Sequence, residues 1–411
     1  MNYWLPTYNI FNFPSLNWKL INRIALSSLA IMLVSACTQP EQEIALENTQ
    51  NKSVSNESSL LGYQESFSYP DFSGEYKVAT HSQILTDYRR LNQFVEASIE
   101  PRQIQVRFYY PSHSGTSDDQ HERLPVISSE YWDYMVGHQQ KNQRKLRFDN
   151  YHSSEWDIKL NTHVNTTNNS YPVLIFSHGY GYNPESYSAL SAELASRGYI
   201  IVSINHTYGA NPSKLSDNNL IWAKPLPKDD PGAYIETWSN DQSFVIDQLT
   251  LINNDLDSIF YQKLNLTNLG VFGHSYGGAA AYHTASNDPR VKALIDIDGT
   301  VFGYEDKYIV QPFAFILSKD HQPKFDYNNA GYFTYQVRFS DFQHASFTDH
   351  ILWWQWDHGQ IDLGFGKVNG LRAIEITTDI VDNFFSHFLF SDTLHWQYDG
   401  LSSEEVLIQN K

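Results

Sequence analysis

The chain has 411 residues with a single cysteine, and its 28 Lys and Arg against 46 Asp and Glu give a formal charge of −18 at pH 7. One cysteine excludes an intrachain disulfide and any zinc or iron–sulfur site that needs several thiolates. The acidic balance lacks the basic surface that nucleic-acid binding requires, so no nucleic-acid partner is expected. The length fits either roughly two to three average domains or one large α/β domain with insertions.

The N-terminus has the charge order of a secretion signal. Residues 1–36 contain no acidic residue, and Lys19 and Arg23 precede an apolar run over residues 24–34. That run is shorter than the roughly 20 residues that span a bilayer. The tetrapeptide Val-Ser-Ala-Cys at 34–37 resembles the lipobox of bacterial lipoproteins, which implies cleavage after residue 36 and acylation of Cys37. An ordinary secretion signal with an incidental cysteine is the alternative.

Thr38 bears on the destination of such a lipoprotein. Lipoproteins that stay in the inner membrane often carry Asp after the cysteine, so the resemblance implies a lipid-anchored protein of the bacterial cell envelope, at the outer membrane. Residues 37–74 are polar and show little apolar periodicity. We therefore expect them to form a tether between the membrane anchor and the body of the protein.

Short apolar runs alternate with helical patterns between residues 75 and 395. Apolar runs typical of strands occupy residues 103–109, 172–176, 199–204, 269–272, 291–295, 313–317 and 335–339. Helical spacing marks residues 184–196, 242–252 and 371–388. The alternation predicts an α/β fold with a mostly parallel central sheet and helices on both faces.

Two polar stretches interrupt this alternation, and a third segment follows it. Residues 113–165 form the first insertion, and residues 209–236, with four prolines, are expected to form a loop or lid near the site. Residues 396–411 are expected to be a C-terminal tail. The sequence thus predicts one elaborated domain rather than two or three.

The sequence GHSYGG at 273–278 follows an apolar run and precedes the helix-forming segment 279–285. In this context a G-x-S-x-G motif is a nucleophile elbow, a tight turn that strains the serine backbone and lifts its hydroxyl above the sheet. The helix start offers unpaired N–H groups to a developing oxyanion. Ser275 is therefore the predicted nucleophile. A glycine-rich turn without chemistry is the alternative.

A second turn, SHGYG at 177–181, follows the apolar run 172–176. In α/β-hydrolases the oxyanion hole combines the N–H of the residue after the nucleophile with an N–H from the turn after an early strand. The backbone N–H groups of Tyr276 and Tyr180 are the predicted donors. His178 precedes the nucleophile, contrary to the serine–acid–histidine order of this fold, so we expect it to shape the turn.

A serine nucleophile needs a histidine base and an acid that orients the histidine. Three acids stand at the ends of the two strands predicted after the elbow: Asp296, Asp298 and Asp320. Spacing favours Asp298 over Asp296, because it lies nearer the loop, and leaves Asp320 as the alternative acid. The candidate histidines follow the last predicted strand: His344, His350, His358 and His387. Of these, His387 lies among the apolar positions of the final helix and is expected to be a packing residue.

Five short sequence blocks follow one another along the chain: FSHG at 176–179, DQSFVIDQL at 241–249, GHSYGG at 273–278, IDGTVFG at 297–303 and HASFTD at 344–349. DYRR at 87–90 and PRQIQVRFYYP at 101–111 precede them. Together they resemble the platelet-activating factor acetylhydrolase family of α/β-hydrolases, isoform II and plasma type. The resemblance implies an α/β-hydrolase fold with Asp298 as the acid, His344 as the base, and the Tyr180 and Tyr276 amides as oxyanion donors.

The chain departs from that family where substrates are selected. After the run 199–204 it has NHTYG in place of an E-H-R-D-like stretch, and WWQW at 353–356 is its own. These tryptophans could line an acyl pocket or enter a lipid interface, but a core and lid cluster is the favoured interpretation. The spacing of the neighbouring acids and histidines matches no zinc motif, so no metal or other cofactor is expected.

The pattern predicts a serine ester hydrolase that cleaves short-chain or phospholipid acyl esters, in the manner of a phospholipase A2, through an acyl-enzyme. Two alternatives stay open: a polyester or aromatic-ester hydrolase on the same site, and a non-catalytic surface lipoprotein that binds a lipid or a partner. The expected partners are an ester or phospholipid substrate, and the membrane through lipidated Cys37.

Overall fold

The computed structural model describes residues 69–95, 99–113, 123–125, 127–141, 155–305, 307–329, 331, 333–358, 363–391, 395–398, 400, 402 and 405–411. The secretion signal, Cys37 and the predicted tether up to residue 68 lie outside the described residues. Among the helices of the described part, none is both long enough and apolar enough to cross a membrane.

The described residues form thirteen strands and six α-helices, with short 3₁₀ turns between them. The strands are β1 Lys77–Leu91, β2 Pro101–Ser112, β3 Arg123–Pro125, β4 Glu155–Leu160, β5 Tyr171–Ser177, β6 Ile200–Asn205, β7 Ser213–Lys214, β8 Leu220–Ile221, β9 Leu264–His274, β10 Ala293–Ile297, β11 Phe313–Leu317, β12 Thr334–Phe339 and β13 Val406–Asn410. The helices are α1 Ser129–Lys141, α2 Ser188–Ser196, α3 Ile235–Asn254, α4 Tyr276–Asn287, α5 His350–His358 and α6 Gly370–Phe390. The 3₁₀ turns are Pro184–Tyr187, Tyr327–Asn329, His344–Phe347 and Leu363–Phe365.

Within the described part, eleven strands form one sheet in the order β13-β12-β11-β10-β9-β5-β6-β2-β1-β4-β3. The six strands from β12 to β6 run parallel to one another. β2 is antiparallel to both β1 and β6, and β13 is antiparallel to β12. The predicted α/β fold with a mostly parallel sheet is confirmed, and the long β1–β2 pair extends the sheet on one side.

The continuous apolar runs became strands because they are buried along their whole length. Every residue of β5 and of β6 is buried, as is every residue of β10 and β11. Helix α6 presents a second buried stripe, which includes Ile376, Ile380 and Phe384. The side chain of Asn369 begins this helix by accepting the N–H groups of Leu371 and Arg372, which a helix start otherwise leaves unpaired.

The packed domain extends beyond the predicted bounds, residues 75 and 395, at both ends. Tyr69 is buried and its ring stacks on Trp156 at 3.9 Å, so the packed domain includes residues before position 75. At the other end, β13 pairs with β12, and the buried Trp396 donates its indole N–H to Asn383 at 2.7 Å. The described part of segment 396–411 is therefore the edge of the sheet and not a free tail.

The carboxyl ends of the parallel strands meet at one edge of the sheet, where catalytic groups gather in such folds. The residue after β9 donates its N–H to the end of β10, since Ser275 N lies 2.7 Å from the Ile297 carbonyl oxygen. The residue after β10 does the same toward β11, with 2.7 Å between Asp298 N and the Ile316 carbonyl oxygen. Two of the predicted site residues thus follow neighbouring strands.

Candidate active site

Ser275 occupies the strained turn between β9 and α4. Its backbone angles are φ 56° and ψ −118°, a conformation that residues with a side chain rarely adopt. The glycines of the motif make this turn possible: a Cβ atom on Gly277 would overlap the Ser177 carbonyl, and one on Gly273 would overlap Gly277. The structure therefore has the strand, strained turn and helix that a nucleophile elbow requires.

Asp298 and His344 are joined by a hydrogen bond of 2.7 Å between Oδ2 and Nδ1. Asp298 is buried, whereas the His344 side chain is 30% exposed, so the far side of the imidazole can reach a substrate. Ser318 holds the carboxylate from the other side, through its N–H at 2.6 Å and its hydroxyl at 2.9 Å. The acid is fixed by the protein while the histidine opens toward solvent.

The two neighbouring acids after the elbow helix have opposite electrostatics. Burial favours the neutral form of Asp298, but the hydrogen bond and charge of His344 outweigh it and lower the pKa of Asp298 to about 2. Burial raises the pKa of Asp296 well above its ordinary value, against the hydrogen bond that it accepts from Gly299 N–H at 2.8 Å. The surroundings of Asp298 therefore favour the ionised form that can orient a histidine, whereas burial favours the neutral form of Asp296.

The remaining candidates lie elsewhere. Asp320 is exposed on the turn after β11. His350 is engaged by the hydroxyl groups of Tyr131 and Ser186, at 2.9 and 3.1 Å from its Nε2. His387 packs edge-on against Phe388 of α6. The His358 side chain lies outside the described part of the structure. Across the described residues, no three His, Cys, Asp or Glu side chains are grouped as a metal site requires.

Tyr180 and Tyr276, the predicted oxyanion donors, lie side by side. Tyr180 sits in the turn after β5 and Tyr276 is the first residue of α4, and their ring centroids are 5.2 Å apart. The turn is tied to the segment after β6 by the bond from Gly181 N–H to the Gly209 carbonyl at 2.8 Å. The two residues whose backbone N–H groups are the predicted donors are therefore neighbours in the structure.

Comparison with known proteins bears on this geometry. Residues 61–213 match the family described as "Platelet-activating factor acetylhydrolase, isoform II", and residues 174–373 match the alpha/beta hydrolase family. The second match includes the elbow, Asp298 and His344. Together the two matches run over residues 61–373, and they make the chain similar to the platelet-activating factor acetylhydrolases among the α/β-hydrolases.

Individual acetylhydrolases and esterases are similar to the chain over part of their length. The platelet-activating factor acetylhydrolase of Bos taurus is 26% identical over 291 residues, which are 62% of this chain and 60% of the relative. That of Canis lupus familiaris is 25% identical over 288 residues, with the same two shares. A probable 1-alkyl-2-acetylglycerophosphocholine esterase of Arthroderma benhamiae is 24% identical over 136 residues, or 33% of each chain. The chain spans 60% of the length of these two mammalian relatives.

A solved structure supports the fold. The ferulic acid esterase from Streptomyces cinnamoneus superposes with a TM-score of 0.66 over 83% of this chain and 98% of that chain, at 22% identity. At this identity the likeness shows the fold alone. The α/β-hydrolase fold predicted from the sequence is confirmed.

The chain also contains an aspartate–histidine–serine array that is fully buried. The Asp241 carboxylate accepts from His206 Nδ1 at 2.9 Å, and His206 Nε2 lies 2.8 Å from the Ser177 hydroxyl. Arg102 binds the same carboxylate through two nitrogens, each at 2.6 Å. Burial lowers the pKa of His206, so its neutral ring accepts from Ser177. Because all four side chains are buried from solvent, this array supports the turn after β5 and does not face a substrate.

The insertion 209–236 is tied to both predicted oxyanion residues. The Tyr180 hydroxyl donates to the Lys224 carbonyl at 2.5 Å, and the Tyr276 hydroxyl accepts the N–H of Tyr234 at 2.9 Å. Trp238, at the start of α3, stacks beside the Tyr180 ring at 5.8 Å. The insertion predicted to be a lid therefore packs on the site through tyrosine hydroxyl groups.

Of the WWQW segment, Trp353 is a packing residue. It is buried, and its indole N–H donates to the Tyr69 hydroxyl at 3.0 Å. Trp354 and Trp356 are half-buried on α5. The favoured interpretation, a core cluster, fits Trp353.

Sequence reasoning missed the residues that hold the site together. His206, Asp241 and Arg102 carried no predicted role, although Asp241 begins the DQSFVIDQL block. His274, beside the nucleophile, and Tyr187 were also missed. A polar residue in an otherwise apolar, strand-flanking block is the signal that could have found them, because a buried polar side chain needs a partner.

Asp349, the last residue of the HASFTD block, is a buried acid whose hydrogen-bond partners are uncharged groups. Its Oδ2 accepts from the Tyr69 hydroxyl at 2.8 Å and from the Ala189 N–H at 3.0 Å. Burial raises the pKa of Asp349 to about 7, and these hydrogen bonds oppose the rise. The folded protein therefore keeps a proton on this carboxyl at pH values where the unfolded chain has released it.

We expect the contribution of Asp349 to stability to fall as pH rises from about 4 to about 7, because the folded state binds the extra proton in that window. Asp349→Asn keeps a neutral acceptor for Tyr69 and should remove this part of the slope. Urea unfolding at several pH values measures it, with the exposed Asp217→Asn as the control. An unchanged slope in Asp349→Asn would contradict the assignment.

Proposed function

We propose that the protein hydrolyses carboxylic esters with Ser275 as the nucleophile. The observation that carries the proposal is the Asp298–His344 hydrogen bond at the strand end beside the strained Ser275 turn. A buried ionised acid bound to the Nδ1 of a half-exposed histidine, next to a serine in an elbow, has the parts of a Ser-His-Asp triad. A serine ester hydrolase is the activity that these parts support best.

The proposed reaction follows from the roles of these groups. Ser275 Oγ attacks the ester carbonyl while His344 Nε2 takes its proton, and the N–H groups of Tyr180 and Tyr276 hold the oxyanion. His344 then gives the proton to the leaving alcohol, which departs and leaves an acyl-serine. Water attacks the acyl group by the same route and releases the carboxylic acid. Asp298 keeps the Nδ1 proton of His344 in place and stabilises its charged form.

For the substrate we infer short-chain acyl esters, including acetyl esters of phospholipids. The names of the relatives support this inference, since the bovine and canine proteins are called platelet-activating factor acetylhydrolases and the fungal one a probable 1-alkyl-2-acetylglycerophosphocholine esterase. The lipobox-like sequence supports a site beside a membrane, and the acylated Cys37 would anchor it to the outer membrane. The intact mass of the membrane-extracted chain would reveal this modification.

A fluorophosphonate probe and an ester panel test the proposal on the full chain. We expect the probe to label the wild type and not Ser275→Ala, because the probe forms a bond only with an activated serine. Ser216→Ala, at a residue in the insertion away from the elbow, is the control that should keep labelling. Wild-type protein that is folded but unlabelled would contradict the proposal and favour the non-catalytic binding protein.

The panel separates the substrate classes. It contains p-nitrophenyl acetate and octanoate, a 2-acetyl and a 2-palmitoyl glycerophosphocholine, and methyl ferulate. We expect the highest kcat/KM on the acetyl esters. Preference for methyl ferulate or for the long acyl chains would overturn the substrate inference while leaving ester hydrolysis in place.

A further inference from the structure

A continuous chain of hydrogen bonds joins the turn of Tyr180 to the backbone of His344. The N–H of Gly179 donates to the Tyr187 hydroxyl oxygen at 3.0 Å. That oxygen lies 2.8 Å from Nδ1 of His274, and Nε2 of His274 lies 3.0 Å from the carbonyl oxygen of His344. These hydrogen bonds thus connect the turn after β5, through the residue beside Ser275, to the loop after β12.

The chemistry of each atom fixes the direction of these bonds. A carbonyl oxygen only accepts, so Nε2 of His274 must carry the hydrogen that it donates to His344. In a neutral ring Nδ1 is then an acceptor and takes the Tyr187 hydroxyl proton. The Tyr187 oxygen is free to accept from Gly179. Every bond in the chain has one donor and one acceptor, so no buried group in it is left unpaired.

The surroundings of His274 favour this neutral form. The ring is completely buried, and burial lowers its pKa well below the ordinary histidine value. The charge of a protonated His344 lowers it further, since the two ring centroids are 4.5 Å apart. His344 can therefore take a proton while His274 does not compete for it.

We propose that His274 is a positioning residue. Through its two ring nitrogens it sets the distance between the turn of Tyr180, which carries a proposed oxyanion donor, and His344. An oxyanion hole and a base must act on one substrate carbonyl, and a misplacement of about 1 Å can lower the rate about 10²-fold. The catalytic consequence rests on the proposed ester hydrolysis. The hydrogen-bond chain and the tautomer of His274 do not.

Two variants of His274 test the catalytic role. His274→Phe keeps a ring but removes both bonds, and we expect kcat per titrated serine to fall about 10²-fold with KM nearly unchanged. His274→Gln can still accept from Tyr187 and donate to the His344 carbonyl, so it should keep kcat within about tenfold of the wild type. The control is His283→Phe. His283 is also a buried histidine, but it donates to the Val301 carbonyl at 2.7 Å and takes no part in the hydrogen bonds between Gly179 and His344.

Two kinetic outcomes would overturn the proposal: a wild-type kcat in His274→Phe, or equal losses in the Phe and Gln variants, which would indicate packing alone. Nitrogen NMR of the histidine-labelled wild type gives a readout without activity. We expect His274, identified by its loss in His274→Phe, to hold its hydrogen on Nε2 from about pH 5 to pH 8. A hydrogen on Nδ1 would overturn the proposal even in an active enzyme. An inactive wild type with the expected spectrum would overturn only the proposed function.

Discussion

Replacing Asp298 by Asn is expected to lower kcat for ester hydrolysis about 10⁴-fold, the scale of such a change in a serine triad. The reason lies in the bonds around the carboxylate. Ser318 N–H holds Oδ1 at 2.6 Å, so the amide oxygen of an Asn would stay there and its NH₂ would face His344. The NH₂ donates, which forces Nδ1 of His344 to accept and moves its hydrogen to Nε2. In that tautomer the ring cannot take the serine proton.

The matched control for this prediction is Asp320→Asn, the other acid that the sequence left open. Asp320 is exposed at the end of the neighbouring strand, so its change should leave kcat within a few-fold of the wild type. Both variants should unfold at nearly the wild-type urea concentration. Loss of activity in Asp320→Asn, with Asp298→Asn active, would show that the wrong acid has been assigned.

The choice between these acids illustrates what the sequence can predict here. The elbow and the buried strands were predicted because each depends on a short continuous segment, such as GHSYGG at 273–278 or the run 313–317. Asp296 and Asp298 were both expected at the end of one strand. In the structure, β10 ends at Ile297 and Asp298 has a φ of 54°, which turns it toward Ser318 and His344.

The parts that the sequence did not predict depend on contacts between distant segments. Asp241 on α3 meets Arg102 at the start of β2, and only the assembled sheet brings them together. The edge strand β13 was missed because Val406–Asn410 is short and exposed along much of its length, so pairing with β12 and not apolar pattern forms it. Local patterns thus predicted the Ser275 turn and the buried strands, the family resemblance selected Asp298 and His344 among the candidates, and the supporting network emerged from the fold.

Breaking the buried contact between Asp241 and Arg102 has the second large expected effect, which is a loss of folding stability. Asp241→Asn should lower the free energy of unfolding by about 3–5 kcal/mol, the range for removing one partner of a buried ion pair. Arg102 is 2% exposed and its guanidinium would stay charged without its carboxylate. In the wild type burial opposes ionisation of Asp241, yet the charge and hydrogen bonds of Arg102 hold its pKa well below the usual range.

Urea unfolding measures this effect, and Asp247→Asn on the same helix is the matched control. Asp247 pairs with Arg89 and Arg290 at 3.0 and 2.8 Å but is 37% exposed, so its change should cost about 1 kcal/mol or less. The double variant Arg102→Leu with Asp241→Leu should be more stable than either single one, since it removes both buried charges together. Arg90, which also pairs with Asp241 at 2.9 Å, keeps its contact with Asp87 at 2.7 Å. An Asp241→Asn protein as stable as Asp247→Asn would refute the structural role of the buried array.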